Sequence, residues 1–471
     1  MRTLLVKTRF LKRWHLVTLA IVLPFFLVGA LLVSSAAAVV TFDWVTVGDI
    51  GNTADTRIMD KGPGPDLTTG YGSVGYEYQI AKYHVTNTQY TEFLNGVDPD
   101  GDVAEAALNP PFPEPPDTGG IFHPNMSMVP SPSNSVGLAH EGGIDYNAAA
   151  AAGSKYTVKP GKANYAANWI NWASGARFVN WLSKGQGSGD TENGVYDMSL
   201  LTTDTLAEVL LYPDRQAGAT VFMPSEDEFY KAAYYDPTLN SGTGGYTEYG
   251  VGNSEPVSEG PSGGATSANY AVDAGQPNHA SGDLFWQNNF DPLGFDKSIE
   301  HATEVGAYSS ATSHYGLFDV DGLIYQWTDD GRQLAGTREF PVYRGGSWSR
   351  NPEFVGASYR NLYSFANVTS YATFGLRIAQ AVTLTADFEP DGDVDENDLS
   401  TWDLSYGADA GADTDGDGDS DGADFLLAWQ QQFTGDLTPS VSAATNVPEP
   451  EGLVLVLAII AAAAVRRTVG K

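Results

Sequence analysis

Residues 315–379 limit how this chain can fold more than any other stretch. Residues 315–330 read YGLFDVDGLIYQWTDD, and residues 343–379 carry YRGGSW, then SYRN, then FGLRIA. Both halves are dense in glycine and aromatic residues and carry few regular periodic patterns. Gly345 and Gly346, beside Ser347 and Trp348, call for a backbone bend where large rings pack against main chain. A block of this kind is costly to order, so much earlier sequence has to wrap around it. The 471 residues suffice for two or three folded units, and 52 glycines with 12% aromatic residues point to a loop-rich, well-packed body.

Composition removes several chemistries. The chain has no cysteine, which excludes disulfides, thiolate metal sites and thiol nucleophiles. Its formal net charge is −33, from 58 Asp and Glu against 25 Lys and Arg. That balance argues against nucleic-acid binding and a basic membrane-surface patch, and favours solubility and divalent cations.

Residues 1–38 read as a secretory signal: Lys7, Arg9, Lys12 and Arg13 precede an apolar run over 16–33, and Ala36, Ala37 and Ala38 offer a cleavage site. The same run would also serve as an uncleaved anchor helix, although Pro24 and the alanine-rich end favour cleavage. Alternation at Phe42, Trp44, Val45 and Val47 predicts a strand, and residues 76–85 predict another. Thr86 and Gln89 form a capping box before Tyr90, Phe93 and Leu94 at helical spacing, with Gly96 as the expected stop. Residues 98–165 read as a long insertion with little periodicity. Trp169 to Trp172 lead into a helix with Phe178, Trp181 and Leu182 on one face, closed by Gly185. A third helix starts at Ser225, boxed by Glu228, places Phe229, Ala232 and Ala233 inward and ends before Pro237.

Three linked signatures, YGLFDVDGLIYQW, RGGSW and FGLR, resemble in content and order those of the formylglycine-generating enzyme, or sulfatase-modifying factor, family. YHVTNTQY, the Trp-rich second helix and MPSEDEFYKAA resemble its earlier elements, so the likeness spans roughly residues 42–380. It implies an α+β, irregular, loop-rich domain of C-type-lectin-like architecture over 39–380. Active members bind copper(I) through two cysteines near the Arg-Gly-Gly-Ser block and oxidise a cysteine in a sulfatase peptide. Residues 347–360, SWSRNPEFVGASYR, hold no such pair, and soft thiolate is what copper(I) requires. Relatives that hold iron through histidine are the alternative. The histidines are at 15, 84, 123, 140, 279, 301 and 314, none at a metal-binding spacing. A set drawn from His123, His140, His301 and His314 stays open, beside the plainer reading of surface or core histidines. The resemblance also implies a calcium site of Asp319 and Gln326 with the carbonyls of Gly322 and Ile324, where Leu323 and Gln326 replace the family's Asn and Glu. A second would use Asn269 and Asp283 with the carbonyls of Tyr270 and Phe285.

The strongest metal signal follows the large domain. Residues 387–398 read DFEPDGDVDEND and residues 413–424 read DTDGDGDSDGAD. Both place acids at positions 1, 3, 5, 9 and 12 with glycine at 6: Asp387, Glu389, Asp391, Asp395 and Asp398 around Gly392, and Asp413, Asp415, Asp417, Asp421 and Asp424 around Gly418. Asp393 and Asp419 occupy position 7, where a backbone carbonyl binds. Alternate oxygens wrapping a hard cation, with glycine at the sharp turn, is calcium-loop spacing. Apolar helix patterns follow each loop: Leu399, Trp402 and Leu404, then Phe425, Leu426 and Trp429. The duplication over 387–434 resembles a small α-helical dockerin module, which implies a cohesin-like protein partner.

A polar linker over 435–446 precedes Val447-Pro448-Glu449-Pro450, an apolar run over 453–465 and the pair Arg466-Arg467. Residues 447–471 resemble a PEP-CTERM sorting segment, processed by an exosortase-type enzyme; an ordinary transmembrane tail anchor is the alternative. The sequence thus predicts an exported bacterial cell-surface or extracellular protein that binds a ligand or acts as a scaffold. It would use calcium and touch membrane only through its two ends. The competing expectation is an oxidoreductase of the formylglycine-generating type or a histidine-metal relative. A lectin-like carbohydrate-binding module is a third reading, by analogy alone.

Overall fold

The computed structural model describes residues 39–59, 68–103, 120–127, 141–203, 209–258, 261, 264–270, 300–334, 338–350, 352–362, 372–382, 386–388, 394–408, 411–414, 418–424 and 429. The expected signal, linker and sorting segments at 1–38, 435–446 and 447–471 lie outside these residues.

Two four-stranded sheets frame the large domain. The first takes β1 (Trp44–Val47), β2 (Tyr78–Ala81), β3 (Val221–Phe222) and β4 (Ala379–Ala381) in the order β1-β2-β4-β3, all antiparallel. Ile80 faces Ala379 in this register, so the two ends of the domain close on one another. The second sheet is built on the long hairpin of Tyr325–Leu334 and Arg338–Arg344, with Asn361–Leu362 on one side and Phe374–Gly375, parallel, on the other. The glycine- and aromatic-rich block therefore forms one sheet and the strand that seals the other.

Three helices pack on this frame. In α1 (Asn87–Val97) both halves of the Thr86–Gln89 capping box form, and Tyr90, Phe93 and Leu94 are buried. α2 (Trp172–Ser183) starts at Asn171, whose side chain accepts from the Ser174 N–H, and buries Phe178 and Trp181. Gly185 turns the chain beyond it with φ +80°. α3 (Glu226–Tyr234) carries the Ser225–Glu228 box in full. It stops before Pro237, and Tyr235–Asp236 pairs with Gly245–Tyr246 instead. Phe93, Phe178 and Trp181 meet edge to face, with ring centroids 5.4 and 5.5 Å apart.

Three local expectations change. Gly96 is not a stop but lies inside α1, where a Cβ would come within 3.2 Å of Trp181 Nε1, so glycine lets the two helices approach. The stretch 98–165 is not structureless: Ile144–Tyr146 and Tyr156–Val158 pair as a hairpin whose Tyr156 packs on Phe122. The second predicted strand shortens to Tyr78–Ala81, because Val85 N–H bonds Leu376 O and carries the chain away into the block.

A small helical unit follows, centred on α4 (Glu396–Ser405), which Asp395 caps. Ala386, Val394 and Trp429 form its apolar cluster, with Phe388, Leu399 and Trp402 against it. Leu404, expected on the same face, is 81% exposed, since five residues past Leu399 points round the helix. No helix among the described residues is long and apolar enough to cross a membrane.

Candidate functional site

The three block signatures converge on one turn. Asp319 and Leu323 take positive φ values of 56° and 61°, flanking Gly322 at 116°. A Cβ on Gly322 would lie 2.2 Å from Asn269 O, so only glycine fits. Backbone bonds then lace the segments together: Gly322 N–H to Gly345 O at 2.6 Å, Leu323 N–H to Asn269 O at 2.9 Å, and Trp348 N–H to Leu323 O at 2.9 Å. Gly346, at φ 73°, sits against Val355 and the carbonyl of Phe354.

Beneath the turn lies a buried guanidinium. Arg377 donates from Nε to Gln326 Oε1 at 2.5 Å, from Nη1 to Ala81 O and from Nη2 to Phe318 O, both at 2.7 Å. Burial lowers its pKa to about 10, and the Asp319 carboxylate opposes that shift. Burial likewise pushes Asp319 up to about 6, held back by the Gly306 N–H and Arg377. The oxygens expected around a cation thus already face a charge: Gln326 Oε1 accepts from Arg377, and Asp319 interacts with the same group. Asp319 Oδ2 also accepts from Gly306 N–H at 2.7 Å, while the Ile324 carbonyl lies 3.3 Å from His84 Nε2. Asn269 donates its amide to His301 O and Thr303 Oγ1. Asp283 and Phe285 lie outside the described residues.

A pocket opens beside the turn, lined among others by Ser267, Asn269, Tyr308, Asp319, Asp321 and Leu323. Asp321 is 3% exposed, and its two oxygens accept the Gly250 and Val251 N–H groups at 2.9 and 3.0 Å. Burial still raises its pKa to about 7. The space between these two carboxyls, the Asn269 amide and the Ser267 and Tyr308 hydroxyls holds about one water-sized group. Sequence reasoning passed over Asp321, whose signal was an acid two residues from Asp319 in an otherwise apolar strand approach.

A second feature that sequence reasoning missed holds the block to α3. Glu226, at the first turn of that helix, accepts from Arg344 Nε at 2.7 Å and from Arg360 Nε and Nη2 at 2.7 Å each. Arg344 also donates to Ala357 O and Tyr359 O, and its guanidinium lies 5.0 Å from the Tyr230 ring. All three charged side chains are buried.

Of residues 348–360, where the resemblance would place copper-binding thiols, several described side chains are core and Glu353 is exposed. Trp348, Val355, Ala357 and Tyr359 are buried, and Arg350 faces Tyr325, Tyr343 and Tyr359. The histidines are dispersed in different surroundings. His84 is fully buried, and burial beside Arg377 pushes its imidazole well down. His123 stacks on Trp169 at 4.9 Å, and burial lowers it to about 4. His301 stacks on Trp348, and His314 lies 3.3 Å from Asp236. His15, His140 and His279 lie outside the described residues. No group of three or more His, Asp or Glu side chains that could hold a metal occurs among the described residues.

In the paired loops, Glu389, Asp391, Asp393, Asp415 and Asp417 lie outside the described residues. Positions 9 and 12 repeat their hydrogen bonds in both loops. Asp398 accepts from Phe388 N–H and Asp395 N–H, both at 2.6 Å, and Asp424 accepts from Thr414 N–H and Asp421 N–H at 2.5 and 2.7 Å. Asp395 and Asp421 each cap the N–H two residues on, at 2.6 Å. Gly418, at φ 102°, donates to Asp413 Oδ2, closing the second loop from position 6 to position 1. Asp387 and Asp419 are present in these turns at positions 1 and 7.

The mixed sheet and helix content, the irregular glycine-braced turns and the arginine-locked block define a sulfatase-modifying-factor type of domain. Residues 71–382 match the sulfatase-modifying factor enzyme 1-like domain, and the chain belongs to that family. Solved structures it resembles include CarF, at 13% identity over 73% of this chain and 99% of that one, with a TM-score of 0.37. PvdO from Pseudomonas aeruginosa follows at 16% identity, 72% and 94% coverage and a TM-score of 0.36. Variable protein 1 of Treponema denticola has 14% identity, 73% and 96% coverage and a TM-score of 0.33. No curated protein matches the chain in sequence.

Proposed function

We propose that this is an exported cell-surface protein whose sulfatase-modifying-factor domain binds a ligand or acts as a scaffold, with the paired loops docking a protein partner when they hold calcium. The observation that carries the reading is the cysteine count of zero in a domain whose copper chemistry depends on a thiol pair. Trp348, Val355, Ala357 and Tyr359 spend their side chains on packing, and the polar pocket at Asp319 and Asp321 has room for a group the size of a water or a single ion. Asp319 and Gln326, with the Gly322 and Ile324 carbonyls, supply oxygen atoms that a hard cation prefers, in competition with Arg377.

For the loops, the support is their spacing and the matched hydrogen bonding of Asp398 and Asp424. Each carboxylate oxygen there accepts one N–H, and Asp424 Oδ1 accepts the Thr414 hydroxyl as well. A cohesin-like module is the partner class that the resemblance suggests. Processing of residues 447–471 by an exosortase-type enzyme would fix the protein at the envelope. Metal analysis and calcium titration of the full chain test the reading. Two or more equivalents of calcium, with partner capture lost in Asp413→Ala with Asp417→Ala, are expected. A tightly held copper or iron would overturn it and favour the oxidoreductase alternative.

A further inference from the structure

The first described residues are held by a side chain from a distant turn. Gln186 pairs with the backbone of Val40 in both directions: the Val40 N–H donates to Gln186 Oε1 at 2.6 Å, and Gln186 Nε2 donates to Val40 O at 2.8 Å. A primary amide carries a donor and an acceptor in one plane, so this side chain stands in for the backbone of a neighbouring strand. Two further bonds continue the seat. Gln89 of α1 donates from Nε2 to Thr41 O at 2.8 Å, and the Lys82 N–H donates to Asp43 O at 2.7 Å, one residue before β1. Val40 is 8% exposed and belongs to the main core, whereas Val39 is 73% exposed.

Gln186 is placed for this by a strained turn. It follows α2, where its N–H bonds Trp181 O at 3.0 Å and the Trp181 indole donates to Gly187 O at 3.0 Å. Its φ is +62°, a left-handed conformation that glycine takes freely and a residue with a Cβ does not. Gly185 and Gly187 stand on either side, yet the strained position between them carries glutamine. The amide of that glutamine goes to residue 40, 146 residues away.

We infer that Gln186 is the clamp for the N-terminus of the processed chain: cleavage ahead of Val39 frees a start with which Gln186 then pairs, and the seated residue 40 is closed to peptidases. This rests on the reading of residues 1–38 as a cleaved signal, whose Ala36 and Ala38 place the cut at the Ala38–Val39 bond. In that cut water adds across the amide, the C–N bond breaks, and Ala38 leaves as a carboxylate while Val39 keeps an ammonium. A peptidase holds its substrate extended, through main-chain groups on both sides of the bond. Val40, the second residue past the bond, has its N–H, its C=O and its side chain taken by the fold. Export therefore runs in a fixed order: cleavage of the open chain, then folding, then capture of residue 40. Once captured, the start is closed to trimming as well, since removal of Val39 needs the peptide whose N–H Gln186 holds.

The chain is expressed with residues 1–38 in place in a host that exports it, and the full exported product is weighed by intact-mass spectrometry. A start at Val39 is expected; a product that keeps residues 1–38 would overturn the signal reading and this inference with it. Wild type and Gln186→Met are then incubated with a broad-specificity aminopeptidase. Methionine keeps the length of the side chain and the strained backbone and removes both bonds to Val40. Cleavage of an opened segment follows its population, so the variant should lose Val39 about thirtyfold faster, the effect of two ordinary hydrogen bonds. Equal rates would overturn the clamp and leave the signal reading standing. Should Gln186→Met fail to fold, amide exchange of the wild type decides the same point. The Val40 N–H should exchange at least about thirtyfold more slowly than an open peptide, and exchange at the open rate would overturn the clamp.

Discussion

Substitution of Glu226 by alanine gives the sharpest stability prediction. Its carboxylate is the shared partner of Arg344 and Arg360, with four of the contacts at 2.5 to 2.7 Å. All three groups are less than 5% exposed, so water cannot enter to replace the lost charge. Removing one partner of a buried ion pair costs about 3–5 kcal/mol, mostly the penalty of the charge left behind. Two guanidiniums lose their carboxylate at once here, which raises the figure. Arg344 keeps the Ala357 and Tyr359 carbonyls and the Tyr230 ring face, which lowers it. About 5 kcal/mol is expected, against a total stability of about 5–15 kcal/mol. At roughly 2 °C per kcal/mol for a domain of this size, the melting midpoint should drop by roughly 10 °C. Urea unfolding followed by Trp fluorescence measures the loss directly. Adding Arg360→Met to Glu226→Ala should recover part of it, because one of the two stranded charges is then gone. A loss below about 1 kcal/mol for Glu226→Ala, or no recovery in the double variant, would refute the assignment of a charge-locked core.

Further outcomes follow from the same geometry. Gly346→Ala should destabilise the domain by about 2–5 kcal/mol, combining positive-φ strain with overpacking, since its Cβ would meet Val355 Cγ1 at 2.2 Å. Gly96→Ala, with only the 3.2 Å approach to Trp181, should cost far less, and chemical denaturation separates the two. His84 stays neutral in the fold while the unfolded chain takes up a proton near pH 6.5, so its contribution is lost as pH falls below that value, by up to about 1.4 kcal/mol per unit. Asp319 and Asp321, raised to about 6 and about 7, tilt stability the other way, weakening the fold as pH rises from about 4 towards 7. Urea midpoints of wild type and His84→Asn between pH 5 and 7.5 isolate the histidine, and parallel curves would sink its assigned role. The chain should consume no oxygen when supplied with copper and a cysteine-containing sulfatase peptide; steady uptake in an oxygen electrode would reverse the proposed reading.

Much of the fold was legible because its signals are local. The capping boxes at Thr86–Gln89 and Ser225–Glu228 need only three residues and a helix, and both form as read. The spacing of the acidic loops is of the same kind, and Asp398 and Asp424 repeat each other's bonds because their neighbours repeat. Gly96 was misread because its reason sits on another helix, in the ring of Trp181. That Arg377, some fifty residues later, bonds Gln326 and interacts with Asp319 is likewise set by the fold and not by local spacing.

Sequence alone therefore determined the family signatures, the helix starts, the absence of thiol chemistry and the duplicated acidic pattern. These depend on residue identity at short spacing. Tertiary structure alone decided which distant charges share a carboxylate, which buried acids line the pocket and which amide holds Val40. Glu226 meets Arg344 and Arg360 across separations of 118 and 134 residues. Nothing in local periodicity specifies such a pairing: it exists because folding withdraws all three groups from water and leaves each as the other's remaining solvent.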